Sequence, residues 1–168
     1  MNKLNKKVRI YSIKNFYSFS AKIYRQIIED ELIFTENCDS TFLHIDENLQ
    51  PIEAKFYKTL NFLSDLNFVS KTPDFIKATV YKNLLYMQNW NKNVSGIYYL
   101  KTDPKVNLIQ IENRPGEIIE YYPEPNELLI FVDNLYHRHC CFKESKYDAI
   151  TFEFDATKRN PQNEKISL

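Results

Sequence analysis

Glycine is nearly absent from this chain of 168 residues, in which only Gly96 and Gly116 occur. Both standard phosphate-binding loops need several glycines at fixed spacing, so nucleotide chemistry through such loops is excluded. No apolar run approaches the roughly 20 residues that cross a bilayer. The basic start, MNKLNKK, also lacks the apolar stretch of a signal peptide. We therefore expect a cytoplasmic protein.

Charge of one sign is also lacking, because Lys plus Arg and Asp plus Glu number 22 each. Without a global positive field we expect no nucleic acid and no membrane as partner, and a small molecule or a protein instead. The three cysteines are an odd number and include the adjacent pair Cys140 and Cys141, which favours reduced thiols over a disulfide framework. The sequence does not indicate an oligomeric state.

The length fits one domain, since a chain of this size can bury a continuous core and no Pro-, Gly- or Ser-rich linker interrupts it. We expect this domain at residues 1–157 and a polar tail at residues 158–168. Two helices are predicted first. Apolar residues at helical spacing follow Ser18 and Ser20, either of which can cap a helix. Pro51 suits the first turn of a second helix, in which Phe56 belongs to the apolar face.

Short β-branched or aromatic runs dominate after Pro73 and are separated by Asn, Asp, Pro or Gly. They predict eight strands, at residues 75–81, 84–88, 94–100, 106–111, 117–122, 127–132, 135–142 and 147–154. Earlier strands are predicted at residues 8–13 and 41–45. Two helices before eight strands predict an α+β chain, a double-stranded β-helix (the jelly-roll, cupin-like barrel) with two N-terminal helices packed against it.

The most informative segment is residues 127–139, ELLIFVDNLYHRH, in which a strand and a short corner lead to a histidine. With the strand at residues 147–154, this is the order of elements by which a double-stranded β-helix delivers a metal-binding histidine to its interior. His137 is therefore a candidate metal ligand. The alternative is a histidine left over from such a site.

Residues 95–100 (SGIYYL), 115–119 (PGEII) and 125–131 (PNELLIF), followed by His137, together resemble the prolyl-hydroxylase-like 2-oxoglutarate and Fe(II)-dependent oxygenases. The resemblance covers about residues 77–155. It implies Fe(II) and 2-oxoglutarate as cofactors and hydroxylation-type chemistry on an unknown substrate. In that family a His-x-Asp/Glu pair precedes the strand resembling residues 95–100, a distal histidine corresponds to His137, and a basic residue beyond it binds 2-oxoglutarate.

One candidate co-substrate contact follows from this resemblance, and a second follows from the tyrosines of the predicted strands. Lys146 is the counterpart of the basic residue that binds 2-oxoglutarate in that family. The alternative is that Lys146 is a solvated lysine in a turn. Tyr99 belongs to a set of tyrosine doublets on predicted strands. The hydroxyls of these tyrosines would donate hydrogen bonds to a carboxylate in a pocket. The alternative is that their rings only fill the interior of the barrel.

The chain departs from the family at the first half of the metal triad. Residues 86–93, YMQNWNKN, contain no histidine and no carboxylate. Depending on register, His-x-Asp falls on Met87 and Asn89, on Gln88 and Trp90, or on Asn89 and Asn91. Neutral amides are poor Fe(II) ligands beside imidazole and carboxylate. We expect Asn89, Trp90 and Asn91 to line a pocket here.

Two other ligand sets are open. His44 and Asp46 form a literal His-x-Asp, displaced in sequence from the family position. His137 and His139 would share one face of a regular strand and, with a carboxylate such as Glu120 or Glu127, form a cupin-like set for Zn, Fe, Mn or Ni.

Two functions are therefore carried forward, and whether the chain is an enzyme is left open. The first is a 2-oxoglutarate/Fe(II) oxygenase-like enzyme. The second is a pseudo-enzyme, the same barrel without a cofactor, which binds a ligand or a protein. The first requires good ligands converging near His137. The second predicts a pocket closed by Met87, Trp90 and tyrosines.

Overall fold

The computed structural model describes residues 9–16, 35–36, 50–81, 87–133, 135–141 and 147–158. This part of the chain is mostly β-strand and includes one short α-helix, α1, at Gln50–Thr59, which a 3-10 turn at Leu60–Phe62 extends. The strands are β1 Arg9–Ile13, β2 Thr35–Glu36, β3 Leu66–Phe68, β4 Phe75–Tyr81, β5 Gln88–Asn89, β6 Val94–Lys101, β7 Asn107–Arg114, β8 Glu117–Tyr121, β9 Glu127–Val132, β10 Tyr136–Cys141, β11 Tyr147–Phe154 and β12 Ala156–Lys158.

Helix α1 begins where the proline pattern predicts, with Pro51 in its first turn. Proline is tolerated there because the first amides of a helix have no intrahelical acceptor. Phe56 and Leu60 are fully buried, and they hold this end of the chain against a sheet. The first predicted helix, after Ser18 or Ser20, lies outside the described residues. No helix in the described part of the chain is long and apolar enough to cross a membrane.

The strands form two main sheets and a small pair. The larger sheet has six strands in the order β1-β9-β6-β11-β4-β2, and the smaller has four in the order β5-β10-β7-β8. Strands β12 and β3 pair with each other. Within the two main sheets the pairs are antiparallel, except that β2 runs parallel to β4.

The six-stranded sheet separates two apolar cores because its side chains alternate between its faces. On one face Tyr98 and Phe152 pack beneath α1, where the ring of Phe152 stacks on Phe56 with centroids 4.2 Å apart. Gly96 lies on this face, and a Cβ there would be 2.3 Å from Phe152 Cζ. The other face packs against the four-stranded sheet, with Tyr99 in the core between them.

Three predicted strands, at residues 75–81, 127–132 and 147–154, have the predicted bounds. Strands β1, β6, β7, β8 and β10 differ from the prediction only at their ends, and β5 overlaps its predicted run at Gln88. The run at residues 41–45 lies outside the described residues. Strands β2, β3 and β12 were not predicted, because two or three residues are too few to show a period. Strand β12 ends at Lys158, where the polar tail was predicted to begin.

Candidate functional site between the two sheets

Strand β10 directs His137, His139 and Cys141 towards the six-stranded sheet. Successive residues of a strand point to opposite faces, and these three are buried whereas Tyr136 is 50% exposed. The imidazoles of His137 and His139 lie with their ring centroids 5.5 Å apart and nearly perpendicular to each other. The two histidines therefore share the inner face, as the period of a strand predicts.

Strand β5 lies beside β10 and determines which residues oppose the histidines. His137 pairs with Gln88, and Tyr136 pairs with Asn89. Asn89 and Asn91 are exposed, so two of the predicted pocket residues face solvent. Of the three registers open for a His-x-Asp counterpart, the pairing of His137 with Gln88 favours the one that falls on Gln88 and Trp90.

The indole of Trp90 packs against the imidazole of His137. Its indole lies 4.1 Å from the imidazole, centroid to centroid, with 8° between the ring planes. On its other side it stacks against Phe131, with centroids 5.8 Å apart. Trp90 is 7% exposed, and its Nε1 atom makes no hydrogen bond within the described part of the chain. The third predicted pocket residue is therefore a core residue.

A buried carboxylate holds the segment that carries Trp90. Glu153 Oε2 accepts hydrogen bonds from the backbone amides of Asn91, at 3.0 Å, and Lys92, at 2.8 Å. The ammonium of Lys92 also pairs with Asp155 at 3.3 Å. Burial raises the pKa of Glu153, while the two amides and Lys92 lower it. These contacts fix the indole over His137.

Burial keeps the imidazole of His139 and the thiol of Cys141 uncharged. The pKa of His139 lies well below its ordinary value because the ring is fully buried and, second, because His137 is nearby. Burial and the neighbouring Cys140 raise the pKa of Cys141 to about 12. A neutral imidazole can bind a metal, but a thiol must lose its proton first. Cys141 is therefore a packing residue at neutral pH.

The fully buried Glu127 lies at the start of β9. Its Oε1 accepts hydrogen bonds from the hydroxyls of Ser12 and Tyr121, and its Oε2 accepts one from the amide of Glu124 at 2.8 Å. Burial, followed by the bond to Glu127, raises the pKa of Tyr121. Both carboxylate oxygens are engaged, and they connect β1, β8 and β9.

The residues at this site do not fit Fe(II). Within the described ranges, no group of three His, Cys, Asp or Glu side chains is placed to hold a metal ion. The residue paired with His137 in the sheet is an amide residue, Gln88, and the side chain that stacks on His137 is the indole of Trp90. An amide is a poor Fe(II) ligand and the indole N–H is only a donor. Lys146, His44 and Asp46 lie outside the described residues.

Tyr99 is on the inner face of β6 and fully buried, packed in the same core as Trp90. Sequence reasoning missed Glu153, although one signal was present. A carboxylate two residues beyond Thr151 on a strand of apolar and aromatic residues occupies an inner position, where an unpaired charge would be costly. Such a residue needs donors close by, and here they are two backbone amides.

No protein-family model and no curated protein matches this sequence. Solved structures do match. A prolyl hydroxylase from Trichoplax adhaerens, in complex with a hypoxia inducible factor oxygen degradation domain peptide fragment, has a TM-score of 0.63 at 14% identity over 92% of this chain and 86% of its own. A Pseudomonas putida prolyl-4-hydroxylase has a TM-score of 0.54 at 12% identity, over 90% and 88%.

A viral collagen prolyl hydroxylase from Paramecium Bursaria Chlorella virus-1 has a TM-score of 0.56 at 15% identity, covering 88% of this chain and 90% of its own. The chain therefore has the β-rich fold of these hydroxylases. The resemblance to the 2-oxoglutarate/Fe(II) oxygenases is confirmed at the level of the fold.

Proposed function

We propose that this chain is a 2-oxoglutarate/Fe(II) oxygenase-like barrel that acts as a binding module and not as a hydroxylase. One observation carries the proposal: Trp90, which has no lone pair to offer, stacks on His137 at 4.1 Å and lies in the segment where the family resemblance expects the His-x-Asp pair. The fold supports descent from oxygenases, and the filled site supports loss of their chemistry.

The proposal includes a finer description of the fold. Strands β4 to β11 divide between the two main sheets so that β4, β6, β9 and β11 lie in one and β5, β7, β8 and β10 in the other. This division suits a double-stranded β-helix, the jelly-roll of the sequence prediction. We propose in addition that a helix preceding α1 packs against the barrel, as α1 does.

The described residues around His137 do not complete a conventional metal site. A metal binds an imidazole nitrogen in the plane of the ring, at about 2.0–2.1 Å, and needs further ligands around it. The neighbouring segment of β5 supplies Trp90, which has no lone pair to offer. The indole covers the face of the imidazole, and what argues against a metal here is the lack of further ligands beside His137 among the described residues.

The alternative is hydroxylation-type chemistry with Fe(II) and 2-oxoglutarate. In its favour, His137 and His139 face the same core with their ring centroids 5.5 Å apart. It would require a third ligand from outside the described residues, such as Asp46, with Lys146 and Tyr99 as co-substrate contacts. The stack on His137 favours the binding module over this alternative.

A protein is the partner we favour, because the Trichoplax prolyl hydroxylase holds a peptide fragment on the same fold. The balanced charge of 22 basic and 22 acidic residues argues against nucleic acid and a membrane surface. We propose a cytoplasmic location on the sequence features alone.

Anaerobic calorimetric titration tests the proposal with Mn(II), a redox-stable substitute for Fe(II), in the presence and absence of 2-oxoglutarate. The native protein should bind neither Mn(II) nor 2-oxoglutarate. The double variant Gln88→His, Trp90→Asp restores a His-x-Asp pair beside His137 and should gain micromolar Mn(II) binding. Adding His137→Ala to that variant should abolish the gain.

Circular dichroism establishes that each variant is folded before titration. If the restored pair unfolds the barrel, the titration of the native protein still decides the matter. Micromolar Mn(II) binding by the native chain, tightened by 2-oxoglutarate, would overturn the proposal and favour the hydroxylase.

A further inference from the structure

Exposed apolar side chains concentrate on one edge of the four-stranded sheet. Six large apolar residues are exposed in the described part of the chain, and three of them, Ile118, Ile119 and Tyr122, belong to one short stretch around β8. A fourth, Tyr136, shares the outer face of this sheet with Ile118, because both are in register with Glu112 of β7. Ile119 lies on the opposite, inner face, because it is in register with the buried Ile111. Strand β8 therefore exposes an apolar side chain on each face of the sheet edge.

Strand β8 is also an open edge. It pairs with β7 and, within the described residues, with no other strand. Its first four residues, from Glu117 to Glu120, are all exposed. An edge strand presents a row of backbone N–H and C=O groups that another strand can pair with. Extended peptides add to such edges through main-chain hydrogen bonds.

The edge is held in an extended conformation before any partner arrives. At its end, the hydroxyl of Tyr121 donates to the buried Glu127. At its start, Gly116 adopts a φ of 81°, and its amide donates to Glu112 Oε1 at 2.8 Å. In the middle, Glu120 accepts a hydrogen bond from Gln110 at 2.7 Å. Preorganisation of this kind lowers the ordering cost of binding.

Charge restricts what can pair with this edge. The β7–β8 hairpin, residues 107–121, carries the carboxylates of Glu112, Glu117 and Glu120 against the guanidinium of Arg114, a net charge of about −2 from three minus one. Two copies paired antiparallel about Ile119 would place each Glu120 opposite Ile118 of the other copy, with the two Glu120 side chains diagonal on the same face, about 7–8 Å apart. The two negative charges would repel each other at this distance. A basic strand would be attracted instead.

We propose that β8 is a docking edge for an extended segment of a partner protein in which apolar and basic residues alternate. The segment would add to the four-stranded sheet as a further strand. Because successive residues of a strand face opposite sides, its basic side chains would lie on the outer face beside Glu120, and its apolar side chains would lie on the inner face beside Ile119. This proposal rests on the binding role proposed above and names the surface that performs it.

The test uses a fluorophore-labelled, capped peptide of alternating lysine and valine, about seven residues long to exceed the five residues of β8 slightly. Fluorescence anisotropy measures its binding to the full chain. One control peptide replaces lysine with glutamate. A second is N-methylated at alternate residues, so it keeps the side chains but loses the amides along one edge. The lysine peptide should bind, and both controls should bind at least about tenfold more weakly.

Two matched variants locate the site. Ile118→Lys places a cation on the edge and removes an apolar contact. It should weaken binding of the lysine peptide about fivefold to tenfold, a loss of about 1–1.4 kcal/mol in binding free energy. Val69→Lys makes the same change at an apolar residue that is 68% exposed and lies outside this sheet, so it should leave binding unchanged. Binding should also fall as salt concentration rises.

Equal effects of the two variants, equal binding of the N-methylated peptide, or no binding of the lysine peptide would each overturn the docking edge. Dimerisation of the protein that Ile118→Lys abolishes would also overturn it, in favour of a second copy as occupant. None of these results depends on metal. The Mn(II) titration therefore decides separately whether the barrel is a binding module or a hydroxylase.

Discussion

Replacing Trp90 with alanine should destabilise the protein strongly, because the indole is a core residue. It is 7% exposed and stacks between His137, at 4.1 Å, and Phe131, at 5.8 Å. Truncating a buried tryptophan to alanine typically costs about 3–5 kcal/mol. For a chain of this length that corresponds to a fall in Tm of about 10 °C. It is a substantial part of the roughly 5–15 kcal/mol by which domains are stable.

Urea unfolding followed by circular dichroism measures this loss as a lower midpoint with an unchanged slope. Fluorescence is unsuitable, since Trp90 is the only tryptophan. A double-mutant cycle with His137→Ala isolates the stack and should give a coupling of about 0.5–1.5 kcal/mol. The control, Tyr136→Ala, truncates a half-exposed ring beside His137 and should cost far less. A cost below about 1 kcal/mol for Trp90→Ala, within reach of ordinary surface substitutions, would refute the reasoning.

Two further predictions concern the core. Gly96→Ala should lower the free energy of unfolding by about 1–3 kcal/mol, because its Cβ would meet Phe152 Cζ at 2.3 Å; a neutral result in urea unfolding would show that Phe152 moves freely. For His139, burial and then His137 lower the pKa, so below about pH 6.5 the unfolded chain binds a proton that the native chain refuses. Stability from this group is therefore present above that pH and lost as the pH falls, by up to about 1.4 kcal/mol per pH unit. Urea unfolding between about pH 5 and 7 should show a shallower acid loss for His139→Gln than for the native protein, and identical slopes would contradict the assignment.

The sequence was sufficient to predict most strands, because alternation and turn residues are local signals. The strand at residues 127–132 has the predicted bounds, and the shared inner face of His137 and His139 follows from the two-residue period. Strands β2 and β12 were out of reach, since their two or three residues form only by pairing with β4 and β3.

The site was predictable only in part. Sequence reasoning left three registers for the counterpart of His-x-Asp, because the pairing of β5 with β10 is a long-range contact. The stacking of Trp90 on His137 depends on that register and on Glu153, which lies about 60 positions along the chain from the amides it holds. The inner position of Glu153 was a local sequence signal, but neither the amides it holds nor the stack on His137 could be read from the sequence. The sequence showed that the His-x-Asp ligands are missing, but it did not show that Trp90 stacks on His137.

Fluorescence of the single tryptophan tests the central claim most directly, since Trp90 reports on the site itself. The account predicts emission typical of a buried indole, weak quenching by acrylamide, and no change when Mn(II) and 2-oxoglutarate are added anaerobically. Emission typical of a solvated indole, or a saturable change that requires both Mn(II) and 2-oxoglutarate, would contradict the claim that Trp90 has replaced the metal at His137.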